Sequence, residues 1–345
     1  MIKRNSVIAS DLRVGILSSL PVKPTRGEDA DYIADAEVEE QVEAIEGALV
    51  KLGLNFKNFL LVEDIESLVK DLKNYNPDLI INLCEGAFGD SQLEMDVPSL
   101  LELMKIPYTG SPPLSLGLCH DKGLTKRILE VEGISTPKYK VLERVEDWSG
   151  GIDYPLFVKP LREDASLGIT KKSFVRDDLE LKKQVEYIIE CYKQPVLVEE
   201  YISGRELNVA IIGNTETLIL PISEILFKSH NEPKIVDYSA KWVKDSQEFM
   251  NTVPVCPANL KDQVRTEVER VALRAYATLS CRDYARIDIR LKGETPYILE
   301  VNPNPSISLD SGFVNALKAA EIAYEEFVKQ IIFFALERKN SFSSK

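Results

Sequence analysis

Val38, Val42, Ile45, Leu49 and Leu52 recur at spacings of four and three, with Gly53 behind them. That stripe predicts an amphipathic helix with a glycine stop. RVGIL (13–17) before it reads as a strand. After it, FLLVED reads as a strand, IESLVKDLKNY as a helix and DLIINLCEG as a buried strand ending in glycine. Strand and helix in alternation predict an α/β region built on a parallel sheet. PSLLELMKI adds a helix, and PYTGSPP closes the region near residue 113.

The middle opens with a helix over DKGLTKRILEVEG (121–133). PKYKVLE and YPLFVKP are strands, REDASLGI a tight loop with strand after it, LELKKQVEYIIECYK a helix and VLVEEYI (196–202) a strand. The last part predicts strands in ELNVAIIG and LILPISEILF, a polar loop SHNEPKIVDYSAK, and a long helix over KDQVRTEVERVALRAYATLS. Helices fill 312–338, and the tail KNSFSSK is expected to fray.

Between the long helix and the last helices lies DYARIDIRLKGETPYILEVNPNP (283–305), which reads as a hairpin. A turn centred on Glu294 sets Asp288 opposite Glu300 and Arg286 opposite Asn302. Alternation then puts these four on one face and Ile287, Ile289, Leu299 and Val301 on the other. Opposed like charges destabilise a sheet. Two readings follow: a divalent cation between the acids, or a solvated face offset by Arg286 and Arg290. Asn302 adds a third oxygen, and oxygen ligands without histidine or cysteine suit Mg²⁺.

Composition narrows the classes. The chain has 345 residues and 44% hydrophobic content, enough for two or three domains. A net charge of −13 argues against a nucleic-acid partner but not against an anionic nucleotide in a local cationic pocket. The five cysteines are scattered without a CxxC pair, as expected of reduced thiols in a cytoplasmic protein. Two histidines make a serine–histidine triad or a multi-histidine metal site improbable. Asp11 and Arg13 interrupt the apolar start, so no signal peptide is expected, and IIFFAL (331–336) is too short to cross a bilayer.

Other residues carry a plain and a functional reading. Lys159 ends an apolar strand, so it reaches water or meets an anion. Lys122 opens a helix and Lys241 follows a polar loop; three lysines from separate segments are suited to a polyphosphate. The loop 162–168 has small residues that bring backbone N–H groups to phosphate, although Glu163 and Asp164 repel it unless turned away. VEEYI and Glu206 are ordinary strand residues, or an adenine-reading edge with a ribose acid. Cys84 reads as a buried, inert thiol.

In this order, PSLLELMKIPYTGS, the DK of CHDKGLTKRIL, YPLFVKPLREDASLG, VLVEEYISGRE, DYSAKW and ARIDI…PYILEVNPNP resemble the ATP-grasp superfamily, and most closely its D-alanine–D-alanine ligases, over residues 12 to 335. The resemblance implies an N-terminal parallel-sheet domain (1–114), a central ATP-grasp subdomain (115–198) and a C-terminal catalytic domain (199–345). It implies ATP with two Mg²⁺ ions, Mn²⁺ being an alternative, and small amino-acid or peptide substrates. A homodimer is left open. By the same resemblance Lys122, Lys159 and Lys241 bind triphosphate with Ser166. Glu199, Tyr201 and Ile202 contact adenine, and Glu206 the ribose. Asp288, Glu300 and Asn302 hold the metals, and Arg286 faces the oxyanion with the backbone at Ser306. Ser311 receives the second substrate's carboxylate and Glu37 the first one's ammonium. Five residues depart from the family pattern. Ala165 and Trp242 replace a serine and a tyrosine, Cys84-Glu85 a histidine-glycine pair, and Ser306 a glycine. The implied activity is an ATP-dependent carboxylate–amine ligase working through an acyl-phosphate, with a lid over 228–245. The alternatives are a ligase for other amino acids or peptides, an enzyme that only phosphorylates or carboxylates, and a nucleotide-binding regulator.

Overall fold

The computed structural model describes residues 8–9, 11–20, 26–28, 37–62, 64–229 and 233–343. The polar stretch PVKPTRGEDADY (21–32) falls mostly outside them. The N-terminal part alternates as its pattern predicts: β1 (Arg13–Ser19), α1 (Glu37–Leu52), β2 (Asn55–Leu61), α2 (Ile65–Tyr75) and β3 (Leu79–Asn82). The three strands form a parallel sheet in the order β2-β1-β3. Asp64 caps α2 by accepting the Glu66 N–H, and Asn76 ends it in the left-handed region. The helices α3 (Asp96–Leu103), α4 (Pro113–His120) and α5 (Lys122–Val131) follow. Asp121 caps α5 through the Leu124 N–H, which aims Lys122 inward from the first turn.

Next come β4 (Tyr139–Leu142), β5 (Leu156–Pro160), β6 (Phe174–Val175), α6 (Asp178–Tyr192) and β7 (Val196–Glu200). The strands make an antiparallel sheet in the order β4-β7-β5-β6, with α6 packed on it.

The C-terminal sheet holds β8 (Arg205–Gly213), β9 (Thr217–Ile219), β10 (Ser223–Phe227), β11 (Thr252–Val255), β12 (Tyr284–Lys292) and β13 (Thr295–Asn302), in the order β11-β10-β8-β12-β13 with β9 on β8. LILPISEILF is therefore two strands, broken around Pro221, which has no N–H for the ladder. The polar loop before β11 contains two short helices, α7 (Tyr238–Trp242) and α8 (Gln247–Asn251). The long helix α9 (Asp262–Thr278) covers one face of the sheet, over Leu207, Val209, Ile287, Ile289, Ile298 and Val301. Two further helices, α10 (Gly312–Ala319) and α11 (Tyr324–Ser343), pack with α1, β1 and β3 into one core. The tail expected to fray instead continues α11 as far as Ser343.

The hairpin pairs Asp288 with Glu300 and Arg286 with Asn302, as the pattern predicts. The turn differs: Lys292 pairs Thr295, so Gly293-Glu294 is a two-residue turn, Gly293 having φ +63°. A bulge beyond Asp288 opposes Ile289 to Ile298 and absorbs the extra residue. Leu299 therefore leaves the predicted apolar face and lines the cavity described below, while Ile298 is fully buried.

Candidate active site

Four strands build the floor. Register places Ser223, Asn208, Asp288 and Glu300 in one row across β10, β8, β12 and β13. Ile225, Glu206 and Arg290 form the next row, and Ala210, Arg286 and Asn302 another. Opposed residues of antiparallel strands share a face, so all of them look away from α9. The second wall is the β5–β7 sheet with Phe157, Lys159, Glu199, Tyr201 and Ile202, and the cover is the segment carrying Val236, Lys241 and Trp242. The cavity between them has a volume of about 1010 Å³. Every predicted site residue lines it except Lys122 and Ser306.

Asp288 is held hard. Arg286 donates to both its oxygens at 2.8 and 2.9 Å, Asn208 to Oδ1 at 2.6 Å and Asn302 to Oδ2 at 3.0 Å. Burial raises the Asp288 pKa, but Arg286 and these donors outweigh it and keep the group ionised. Burial raises the pKa of Glu300 against the pull of Lys122, whose Nζ lies 4.0 Å away. The repulsion foreseen between the two acids is thus relieved on one side by Arg286. Asn302 offers its amide nitrogen to both carboxylates, the second at 3.5 Å, so ligation through its oxygen requires the amide to turn over. Among the described residues no three His, Cys, Asp or Glu side chains converge as a metal cage. Two carboxylates with open positions match Mg²⁺, which completes its shell with water and phosphate oxygens.

The lysines divide. Lys122, 3% exposed, donates to Asp164 Oδ1 at 2.9 Å and to the Glu163 carbonyl. Burial lowers its pKa, but Asp164 and Glu300 outweigh that and raise it. The acids of the loop are therefore turned to partners, Glu163 accepting from Gln194 at 2.7 Å. Lys159 is 2.9 Å from Glu199, which is buried between it and Lys126. Glu199, expected at adenine, thus directs its carboxylate to two lysines. Tyr201 accepts the Lys234 N–H at 2.9 Å, and Ile202 is buried beside it. Glu206 is 2.8 Å from Arg290; burial raises its pKa and Arg290 opposes this.

The phosphate-type loop is a tight turn: Ala165 and Ser166 have φ of +54° and +63°, and the Leu167 N–H reaches the Asp164 carbonyl at 3.0 Å. Consecutive left-handed non-glycine residues carry strain held by their surroundings. Those surroundings are the cover: Ser166 donates to the Val236 carbonyl at 3.1 Å, and the Trp242 indole donates to the Ala165 carbonyl at 2.9 Å. Residues 230–232 of the expected lid lie outside the described residues.

At the far end Glu37, in the first turn of α1, accepts from the Ser306 hydroxyl at 2.5 Å and the Ser308 hydroxyl at 3.2 Å. Gln41, one turn on, donates to Glu85 at 2.8 Å and accepts the Ile307 N–H at 3.0 Å. Ser311 caps α10 through the Val314 N–H at 3.2 Å. Cys84 is fully buried, and burial raises its thiol pKa, as the inert reading expects. Asn208, Lys126 and Ser308 were not singled out from the sequence. Only the pairing of β8 with β12 brings Asn208 to Asp288.

The family model described as the D-ala D-ala ligase C-terminus matches residues 128–333. The chain belongs to the D-alanine–D-alanine ligase family. It is 32% identical to the D-alanine–D-alanine ligase of Carboxydothermus hydrogenoformans over 306 residues, 86% of this chain and 92% of that ligase. It is 34% identical to that of Ralstonia pickettii over 269 residues, 76% of each chain. Its fold is that of a solved D-alanine–D-alanine ligase from Bacillus anthracis complexed with ATP, with a TM-score of 0.76 at 26% identity over 96% of this chain and 99% of that one. As a D-alanine–D-alanine ligase family member with the ATP-grasp fold, the chain is an ATP-dependent carbon–nitrogen ligase. No helix among its described residues is long and apolar enough to cross a membrane.

Proposed function

We propose that the cavity activates an amino-acid or peptide carboxylate with ATP and joins it to a second amine. The observation that carries this is one sheet face presenting Arg286, Asp288, Glu300 and Asn302 to a wall that carries Lys159. Asp288 and Glu300, with Asn302 once its amide turns, would hold Mg²⁺, which supplies charge neutralisation on the phosphates when bound. Lys159, Lys241 and the Ser166 loop face the triphosphate, Tyr201 and Ile202 the adenine, and Glu206 the ribose; Lys122 reaches the triphosphate by leaving Asp164 and the Glu163 carbonyl. A carboxylate oxygen of the first substrate attacks the γ-phosphorus and ADP leaves. The amine nitrogen of the second attacks the acyl carbon, phosphate departs and the amine loses a proton. Arg286 is placed to stabilise the oxyanion, Ser311 to receive the second carboxylate and Glu37 the first ammonium. The cover keeps water from the acyl-phosphate. Catalysis is thus positioning and electrostatics.

The departures at Ala165, Trp242, Cys84-Glu85 and Ser306 put the choice of first substrate in residues that differ from the family pattern. The test is phosphate release across D- and L-amino acids and dipeptides, with product masses. One condensed product per phosphate is expected, and Asp288→Asn is expected to stop turnover with the fold intact. ADP release without any condensed product, or full turnover by Asp288→Asn, refutes the reading.

A further inference from the structure

Lys126 does not line the cavity, yet it is fully buried; burial lowers its pKa, and Glu199 opposes this. It stands one turn after Lys122 on α5, on the same face. Its Nζ is 2.7 Å from Glu199 Oε2 and donates to the Thr136 hydroxyl at 2.7 Å. Thr136 in turn donates to the Ile298 carbonyl at 2.8 Å, which ties the lysine to the catalytic hairpin. The other oxygen of Glu199 faces Lys159 at 2.9 Å. Glu199 is 2% and Lys159 4% exposed. Register explains the meeting: Glu199 lies across from Phe157, so Lys159, two residues on, reaches it diagonally.

Two ammoniums share one carboxylate, leaving an excess of one positive charge in a buried cluster. Glu300, whose charge also acts on Lys126 and Lys159, is already 4.0 Å from Lys122. A buried carboxylate with one lysine holds that lysine as its sole counter-ion, because an unpaired buried charge is costly. With a second lysine it stays paired when the first turns to another anion. Lys126 does not line the cavity, whereas Lys159 does.

Building on the ATP-site reading, we infer that Lys126 is a positioning residue for nucleotide: by neutralising Glu199 it frees Lys159 to bind phosphate and sets the positive charge of that wall. A merely structural Lys126 would be replaceable by any side chain that fills its space. A charge-setting Lys126 is replaceable only if the charge count is restored. The experiment is calorimetric binding of Mg-ADP to the full chain, with the ATP KM and kcat measured beside it.

Lys126→Met, which leaves Lys159 locked on Glu199, is expected to weaken ADP binding and raise the ATP KM roughly tenfold, with kcat within about threefold. Lys126→Met/Glu199→Gln restores the excess charge on Lys159 and is expected to bind ADP at least about threefold more tightly than Lys126→Met. Lys126→Arg keeps the charge and is expected to stay near the parent. An unchanged affinity in Lys126→Met, or a folded double variant no better than the single, overturns the inference. If Lys126→Met does not fold, Lys126→Gln takes its place: ADP binding weakened roughly tenfold upholds the inference, and parent-level binding ends it. Absence of ADP binding by the parent protein refutes the ATP-site reading itself.

Discussion

Replacing Trp242 by phenylalanine isolates the contact that joins cover and loop. The indole N–H donates to the Ala165 carbonyl at 2.9 Å, and Lys241 Nζ stands 4.6 Å from the ring centroid. Phenylalanine keeps an aromatic ring but removes the donor. A neutral hydrogen bond of this kind is worth about 0.5–1.5 kcal/mol net, and a weaker cation–π contact adds a few tenths. If that free energy belongs to the seated cover, the seated-to-lifted ratio falls roughly 2- to 12-fold, since 1.4 kcal/mol is a factor of ten. The nucleotide KM should rise by that factor. Phosphate released per product formed should also rise, because a lifted cover admits water to the acyl-phosphate. The second tryptophan, Trp148, sits apart, donating to Asp178 at 3.1 Å. In a Trp148→Phe background the emission of Trp242 alone should therefore shift when nucleotide binds. A Trp242→Phe enzyme with the parent's KM and phosphate-to-product ratio would refute the argument that this bond seats the cover.

Two further outcomes follow from buried charges. Arg290, 4% exposed, lies 2.8 Å from Glu206, so Arg290→Ala leaves a buried acid unpaired; a loss of about 3–5 kcal/mol in urea unfolding is expected, and Arg290→Ala/Glu206→Gln should recover part of it. Burial, then Glu37, pushes the Glu85 pKa up from 4.5 to about 7 against the Gln41 hydrogen bond. A raised carboxyl pKa gives stability that is complete below about 4.5 and lost as pH climbs through about 7. Glu85→Gln should therefore melt with the parent at pH ~4 and above it at pH ~8; a constant gap at both values would show that Glu85 does not titrate there.

The hairpin was legible because its information is local: two β-rich runs and a short turn fix which acids face each other. The bulge was not, since nothing in LEVN marks Leu299 as the residue that changes sides. The Asp288–Glu300 pairing came out right although the turn sits half a residue earlier than expected, because the bulge offsets the difference. What sequence reading could not reach is set by pairing between distant strands. Asn208 meets Asp288 across 80 residues of chain, and Glu199 turns to Lys126 and Lys159 only because β7 lies between β4 and β5. Family resemblance located Glu199 at the nucleotide, but the direction of its side chain depends on two counter-ions that no local pattern announces.

The departures from the family pattern gain meaning from how their replacements bond. Ala165 offers no hydroxyl, and the Trp242 indole, a donor only, takes the Ala165 backbone carbonyl. Ser306 supplies a hydroxyl where the family has none, and Glu37 accepts it. Glu85 is reached by Gln41, whose other amide atom holds the Ile307 N–H next to Ser306. Two closed networks result, one seating the cover and one fixing α1 against the 306–308 turn. Ser306→Gly removes a hydroxyl that Glu37 accepts, whereas Ala165→Ser keeps the backbone carbonyl that the indole uses. Substitutions in such shared networks do not add. Ser306→Gly alone should therefore cost activity on the enzyme's own substrate without granting a new one, as expected if the network with Glu37 acts as a unit.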